Sequence, residues 1–328
     1  MTPEQIELVR PRLVQFAGQM LAGVPRSDQR AKGELYLRGL LTDGARKSMQ
    51  PMAQRLGVDH QGLQQFVTSS TWDHEVVRAN VARWAVPAID PAVYVVDDSG
   101  FPKDGTASPL VARQYSATLG KTGNCQIGVS IQMATDRASL AANWRLFCPA
   151  SWDDTTIADE QAAQAVRQRR TRAGIGEQVR HREKWRLALD MLGQMTDAWE
   201  LPKLPVVGDS GYGDATEFRL GLDERGFEYV LEVDPTASAY PHDAVPLTPA
   251  YSGRGRPAAP GYPGKPVSLR ELVLAAGRRA LRQVTWRHGT KKTAGNPGAA
   301  MRSRFLAIRV RPANRNIIRN DDGSLPEN

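Results

Sequence analysis

The sequence predicts a mixed α/β protein, a sheet with helices on its faces, preceded by a helical region and joined to a basic, Pro/Gly-rich insertion. Three observations carry this. Helical patterns fill the first ninety residues, short β-rich runs replace them from Val93, and later strands alternate with helices. With 328 residues, 41% of them hydrophobic, the chain has enough apolar surface to form a core without disulfide staples.

Pro3-Glu4-Gln5 starts the first helix, and Arg30 to Leu41 forms the second. Gln54 to Val67 places Gly57 in a turn between two short helices, the second carrying Gln64 and Gln65 with Thr68, Ser69 and Ser70 close behind. This matches a helix-turn-helix reader of DNA and, equally, a plain helical hairpin. Residues 1–90 thus form one helical region. Strands begin with Tyr94-Val95-Val96, stopped by Asp97-Asp98-Ser99-Gly100. Ile127 to Met133 alternates, and Leu140 to Phe147 follows it through the turn residues Thr135 and Asp136. Helices are expected over Ile157 to Arg172 and His181 to Trp199. In the second, Trp185, Leu189, Leu192 and Met195 recur at helical spacing and mark a core face. Leu204 to Asp209 is the next strand, Ala215 to Arg225 a helix and Phe227 to Val233 a strand, closing a unit over 91–233. Asp234 to Lys265, rich in Pro, Gly and Tyr, is an excursion. A helix over Leu269 to Ala280 and strands over Leu281 to Arg287 and Ser303 to Val310 complete a third region, 234–328.

Charge is unevenly spread. The net charge is +8, yet Ala244 to Asn320 holds sixteen Lys or Arg against one acid, Glu271, which leaves the rest of the chain net acidic. A cationic segment of this kind gains affinity by displacing counterions from nucleic-acid phosphates. No apolar run approaches the roughly 20 residues of a spanning helix, and the N-terminus lacks a basic-then-apolar signal pattern. The expectation is a soluble, cytoplasmic, nucleoid-associated protein in which Cys125 and Cys148 are buried thiols, with no membrane partner. His60, His181, His242 and His288 stand singly, without ligand or triad spacing.

Chemistry concentrates on two aspartates. Asp97 ends one apolar run, and Asp209 ends Pro205-Val206-Val207-Gly208 before Ser210-Gly211-Tyr212-Gly213. Strands stopped in this way deliver carboxylates to one sheet edge, where hard cations such as Mg²⁺ or Mn²⁺ accept oxygen ligands. Alternation puts Asp97 on the face of Val95 and leaves Asp98 on the other, as a support. Asp before Ser-Gly is also an ordinary turn former. Leu119-Gly120-Lys121-Thr122 resembles the end of a phosphate-cradling loop, but the Gly needed five residues before Gly120 is Tyr115. Lys121 and Arg113 therefore remain only as phosphate contacts. Gly253-Arg254-Gly255-Arg256-Pro257 is narrow enough for an A·T-rich minor groove, with Arg254 and Arg256 meeting phosphates first. Lys291 and Lys292 extend the same basic surface.

Asp97 to Gly105, Ala112 to Gln126 and Gly208 to Gly213, together with the helical N-terminus and the Gly-Arg-Gly-Arg-Pro segment, resemble the transposases of bacterial insertion sequences of family 701. The resemblance implies a DDE endonuclease of RNase H-like fold that cuts and pastes DNA with Mg²⁺ or Mn²⁺. Its partners are the element ends and target DNA, and a homo-oligomer is left open. It makes Asp97 the first metal-binding acid and Asp209 the second. The third acid of the family is a Glu in a Tyr-x-x-Arg-x-x-x-Glu-x-x-x-x-x-x-Lys-like pattern, which does not occur here. Asn320-Asp321-Asp322-Gly323-Ser324 is a turn signal after which only Leu325-Pro326-Glu327-Asn328 follows, and Glu327 lies in a polar tail. The expectation is a C-terminally truncated enzyme with impaired catalysis. The alternative is a non-catalytic DNA-binding remnant.

Overall fold

A computed structural model describes residues 3–116, 118–250, 253 and 260–313. The chain divides into two compact units, Met1–Glu232 and Val233–Asn328.

The first unit opens with α1 (Pro3–Met20), α2 (Ser27–Leu41), α3 (Met49–Leu56), α4 (His60–Thr68) and α5 (His74–Ile89). Gly57 ends α3 at φ 67°, a left-handed conformation that costs glycine little, and the Asp59 carboxylate accepts from the Gln61 amide to start α4. Met52, Ala53 and Leu63 are buried inside this hairpin against Leu35 and Tyr36 of α2. Helix α5 falls inside the helical region expected over 1–90, but its bounds were not marked there. Its buried face is Ala79, Ala82 and Ala85, small residues that let a helix approach a sheet but give a faint apolar signal.

The sheet is built from β1 (Val93–Pro102), β2 (Ala112–Ser116), β3 (Lys121–Ala134), β4 (Ser139–Leu146), β5 (Val206–Gly208) and β6 (Tyr229–Leu231). Between β4 and β5 lie α6 (Glu160–Arg172) and α7 (Lys184–Gly193), and between β5 and β6 lie α8 (Ser210–Gly213) and α9 (Thr216–Glu224). β3 is antiparallel to both β1 and β4, whereas β5 is parallel to β1 and β6 parallel to β5. The order β4-β3-β1-β5-β6, antiparallel on one side and parallel on the other, is that of the RNase H-like fold, with β2 added on the β4 edge of β3. Ile127 to Ile131 of β3 are buried without interruption, so both faces of the sheet are covered. Leu189, Leu192 and Met195 are buried as the spacing predicts, joined by Leu187, Ala188 and Met191, while Trp185 is only half-buried.

Several boundaries move for local reasons. The helix expected over His181–Trp199 starts at Lys184 and, after Gly193, widens into a π-helical turn, Gln194–Ala198. α6 starts at Glu160, not Ile157, because the Asp159 carboxylate accepts from the Ala162 amide at 2.7 Å and fixes the N-terminus there. β3 begins at Lys121 because the paired strand β2, which the residue pattern did not reveal, extends it. Cys125 and Cys148 are buried free thiols.

The link from β4 to α7 is organised by buried charge. Arg170 donates to the carbonyls of Trp152, Gly176 and Val179 at 2.7, 3.0 and 2.6 Å. Asp153, 2% exposed, accepts from the His181 amide, from the Thr155 amide and hydroxyl, and from Arg180. Burial alone would raise its pKa, but the His181 and Thr155 bonds and Arg180 outweigh it and hold the carboxyl at about 2 instead of 3.8. Because the folded value is the lower one, the stabilisation is complete above about pH 4 and lost as pH falls through about 2. Urea melts across that window are expected to lose about 2 kcal/mol in the wild type and to lack this component in Asp153→Asn.

The second unit contains β7 (Ser238–Pro241), β8 (Val267–Ser268), α10 (Leu269–Ala276), β9 (Arg282–His288), β10 (Ala300–Phe305) and β11 (Val310–Pro312). β11, β7 and β8 form one sheet, and β9 and β10 form a separate ribbon. α10 begins in a reciprocal Ser268/Glu271 capping box and stops at Gly277, φ 73°, short of the expected Ala280. The single strand expected over Ser303–Val310 is two strands in different sheets. Phe305 faces Arg282, the first residue of β9, so the partner strand runs out there, and the chain pairs again only when Val310 meets Pro241 of β7.

Candidate functional site

β1 and β5 run side by side with Val96 opposite Gly208, so the next residue of each, Asp97 and Asp209, emerges at the same end of the sheet. Asp97 is exposed, and its carboxylate accepts from the Asp98 amide at 2.7 Å. Asp209 caps α8, accepting from the Gly211 amide at 3.1 Å. Partial loss of hydration raises the Asp97 pKa, and the negative charges of Asp209 and Asp98 add to that rise against the lowering effect of the Asp98 amide.

Asp98 is engaged differently. On the other face of β1 it pairs with Lys184, the first residue of α7, and accepts from the Tyr212 hydroxyl of α8. Tyr212 is 3% exposed; burial, then the Asp98 charge, pushes its pKa far up, so it stays protonated and donates. Asp98 thereby ties β1 to α7 and α8 and holds the two strand ends in register. Neither Lys184 nor Tyr212 was singled out as a site residue in the sequence. Tyr212 lies in the quoted Gly-Asp-Ser-Gly-Tyr-Gly motif, but Lys184 is 86 residues from its partner and carries no local signal.

Gly213 is required by close approach. A Cβ there would lie 1.8 Å from the Glu232 carbonyl oxygen at the end of β6.

The donor set fits a hard divalent cation. Among the described residues, Asp97 and Asp209 have no Lys or Arg partner, whereas Asp98 is already neutralised by Lys184. Among the described residues no group of three or more His, Cys, Asp or Glu is arranged to hold a metal. Two carboxylates is therefore the full set described.

Of the other expected residues, Arg113 and Lys121 do not share a face. Arg113 faces Asn124 and Lys121 faces Ser116 across the β2–β3 hairpin, which puts the two basic side chains on opposite faces. Tyr115, on the Arg113 face, is 64% exposed. Lys291 and Lys292 occupy the loop between β9 and β10 in the second unit. Arg254, Arg256, Glu327 and the Asn320–Ser324 turn lie outside the described residues. In the α3–α4 hairpin Gln64 and Gln65 are exposed, but the Thr68, Ser69 and Ser70 hydroxyls are bonded back to the Gln64 and Gln65 carbonyls. No described helix is long and apolar enough to cross a membrane.

The chain is 33% identical over 96 residues to a protein of Microchaete diplosiphon named "Probable transposase for insertion sequence element IS701". That match covers 28% of this chain and 25% of the relative, so the shared stretch spans about a quarter of its length. Among solved structures, the crystal structure of the Mos1 Strand Transfer Complex is 12% identical, covering 62% of this chain and 59% of that one. Its TM-score of 0.19 is too low to inform fold or function. A family model described as "DDE superfamily endonuclease" matches residues 19–293. With most of its length inside that match and two aspartates at the ends of paired parallel strands, the chain belongs to the DDE superfamily endonucleases.

Proposed function

We propose that the chain is an insertion-sequence DNA transposase that cleaves strands at element ends and joins them to target DNA, with Asp97 and Asp209 as its metal-holding acids. The observation that supports this most is their placement one residue past the paired Val96 and Gly208. Mg²⁺ or Mn²⁺ bound there supplies activation of a water or 3′-hydroxyl and stabilisation of the leaving oxygen. Asp97 and Asp209 hold the cation, Asp98 acts as a strut, and Arg113, Lys121, Lys291 and Lys292 bind backbone phosphates. Residues 1–90 serve end recognition, 91–233 catalysis, and 234–328 further DNA contact.

A second reading, DNA binding without cleavage, is favoured by the pair of carboxylates standing alone among the described residues. Metal position depends on ligand count and geometry, so two acids alone support weak cleavage at best. A supercoiled plasmid bearing the element ends, incubated with Mg²⁺ or Mn²⁺, separates the readings. Nicking by the wild type and none by Asp209→Asn supports the first. Salt-sensitive binding that Asp209→Asn retains, without nicking by either chain, supports the second, and absence of binding rejects both.

A further inference from the structure

The ribbon β9–β10 buries almost nothing. Every residue of Arg282–His288 and of 301–305 is exposed, and Ala300 alone is half-buried. A lone two-stranded ribbon is marginal in water, so one with no buried face is a surface awaiting an occupant. Its two faces differ sharply in chemistry. Gln283 stands opposite Arg304 and Thr285 opposite Arg302, which places these four side chains on one face. Arg302 Nε donates to Thr285 Oγ1 at 3.3 Å, orienting that guanidinium across the strands. Val284 and Phe305 lie on the other face with Arg282, which stands opposite Phe305, and with Trp286, whose indole donates to Ser303 Oγ at 3.2 Å.

The tip of the ribbon is ordered and cationic. Thr293 and Asn296 form a backbone bridge, and the Asn296 amide exchanges two 2.9 Å bonds with the Ala300 backbone. Lys291 and Lys292 lie just before this turn. No Asp or Glu occurs between residues 272 and 313.

We infer that the face formed by Gln283, Thr285, Arg302 and Arg304 enters the major groove of duplex DNA, with Lys291 and Lys292 on the backbone at the tip. This rests on the DNA-substrate reading above and adds to it a surface and a groove. The major groove, about 12 Å wide, admits a two-stranded ribbon as it stands, whereas the minor groove, about 6 Å wide, must be forced open to take one. Arg matches the two acceptors of guanine, and Gln matches the acceptor–donor pair of adenine. A protein partner fits this face poorly, because interface cores are depleted of charge and built on apolar anchors, which here lie on the opposite face.

The test uses the full chain and a random-sequence duplex, followed by fluorescence anisotropy over a salt series. For the double variant Arg302→Gln/Arg304→Gln, with an unchanged circular dichroism spectrum, affinity is expected to fall about tenfold while the salt slope, set by the phosphate contacts of Lys291 and Lys292, changes by less than about one. The double variant Arg302→Lys/Arg304→Lys keeps the charge; it is expected to keep the slope but lose the protection of guanine N7 from dimethyl sulfate that the wild type gives. Wild-type binding with neither variant differing from it overturns the ribbon assignment and leaves the DNA reading standing. Protection confined to adenine N3 overturns the choice of groove. A wild-type chain that does not bind the duplex overturns the DNA reading itself.

Discussion

Asp97→Asn is expected to raise the melting temperature of the metal-free chain while weakening Mg²⁺ or Mn²⁺ binding by more than about a hundredfold, beyond the 10–100-fold typical of outer-shell changes. The two effects have one origin. Asp97 stands at a partly dehydrated strand end beside the negative charges of Asp209 and Asp98, and its folded pKa is raised. For a raised carboxyl the sign is unfavourable near neutrality: its contribution to stability is present below the unfolded pKa and is lost as pH rises through the folded one. Asn keeps an oxygen to accept from the Asp98 amide but carries no charge, so it escapes this loss. On the proposed assignment, a cation held by Asp97 and Asp209 would offset the same repulsion in the wild type. Melts near neutral pH with and without Mn²⁺ check this. Wild type should gain stability with Mn²⁺ and Asp97→Asn should not. A variant that melts lower without metal, or shows the wild-type Mn²⁺ shift, sinks the assignment of Asp97 as a ligand.

Much of the sheet could be read from the sequence because its strands alternate or run apolar to a clear stop. Val206-Val207-Gly208 before Asp209 and the alternation over Ile127 to Met133 are such signals, and both are strands here. β2 and the first half of β3 were hidden, because Arg113, Gln114, Tyr115, Lys121 and Thr122 are polar and all but Gln114 are exposed. Within the helical first ninety residues, the bounds of α5 were hidden by its alanines. The site was legible as far as two aspartates at strand ends. Their support was not, because Lys184 and Tyr212 reach Asp98 only through tertiary packing across 86 and 114 residues. Arg113 and Lys121 look close in sequence, yet hairpin register turns them to opposite faces. A contact made by pairing register is invisible until the hairpin is known.

Gly213→Ala is expected to destabilise the first unit by about 3 kcal/mol or more, at the upper end of what overpacking usually costs. The added Cβ would lie 1.8 Å from the Glu232 carbonyl oxygen and 2.9 Å from its carbon, both backbone atoms, so no rotamer change relieves the clash. Neither side is free to retreat. The Glu232 amide donates to the Gly208 carbonyl at 2.9 Å, anchoring the end of β6 to β5, and the Gly213 amide donates to the Asp209 carbonyl at 2.9 Å. Separating them therefore pulls on the same backbone that carries Asp209, and the loss of stability should be accompanied by loss of the Mn²⁺-induced shift. Gly208→Ala is the informative comparison. Its Cβ would meet Leu231 Cδ2 at 3.1 Å, the far end of a side chain that can turn aside, so its cost should be clearly smaller. At roughly 2–4 °C per kcal/mol for a unit of this size, Gly213→Ala should melt about 6–12 °C lower than wild type. A Gly213→Ala chain that melts with the wild type, or no lower than Gly208→Ala, would mean that α8 does not press on the end of β6. In that case Asp209 is held by something other than the β5–α8–β6 corner.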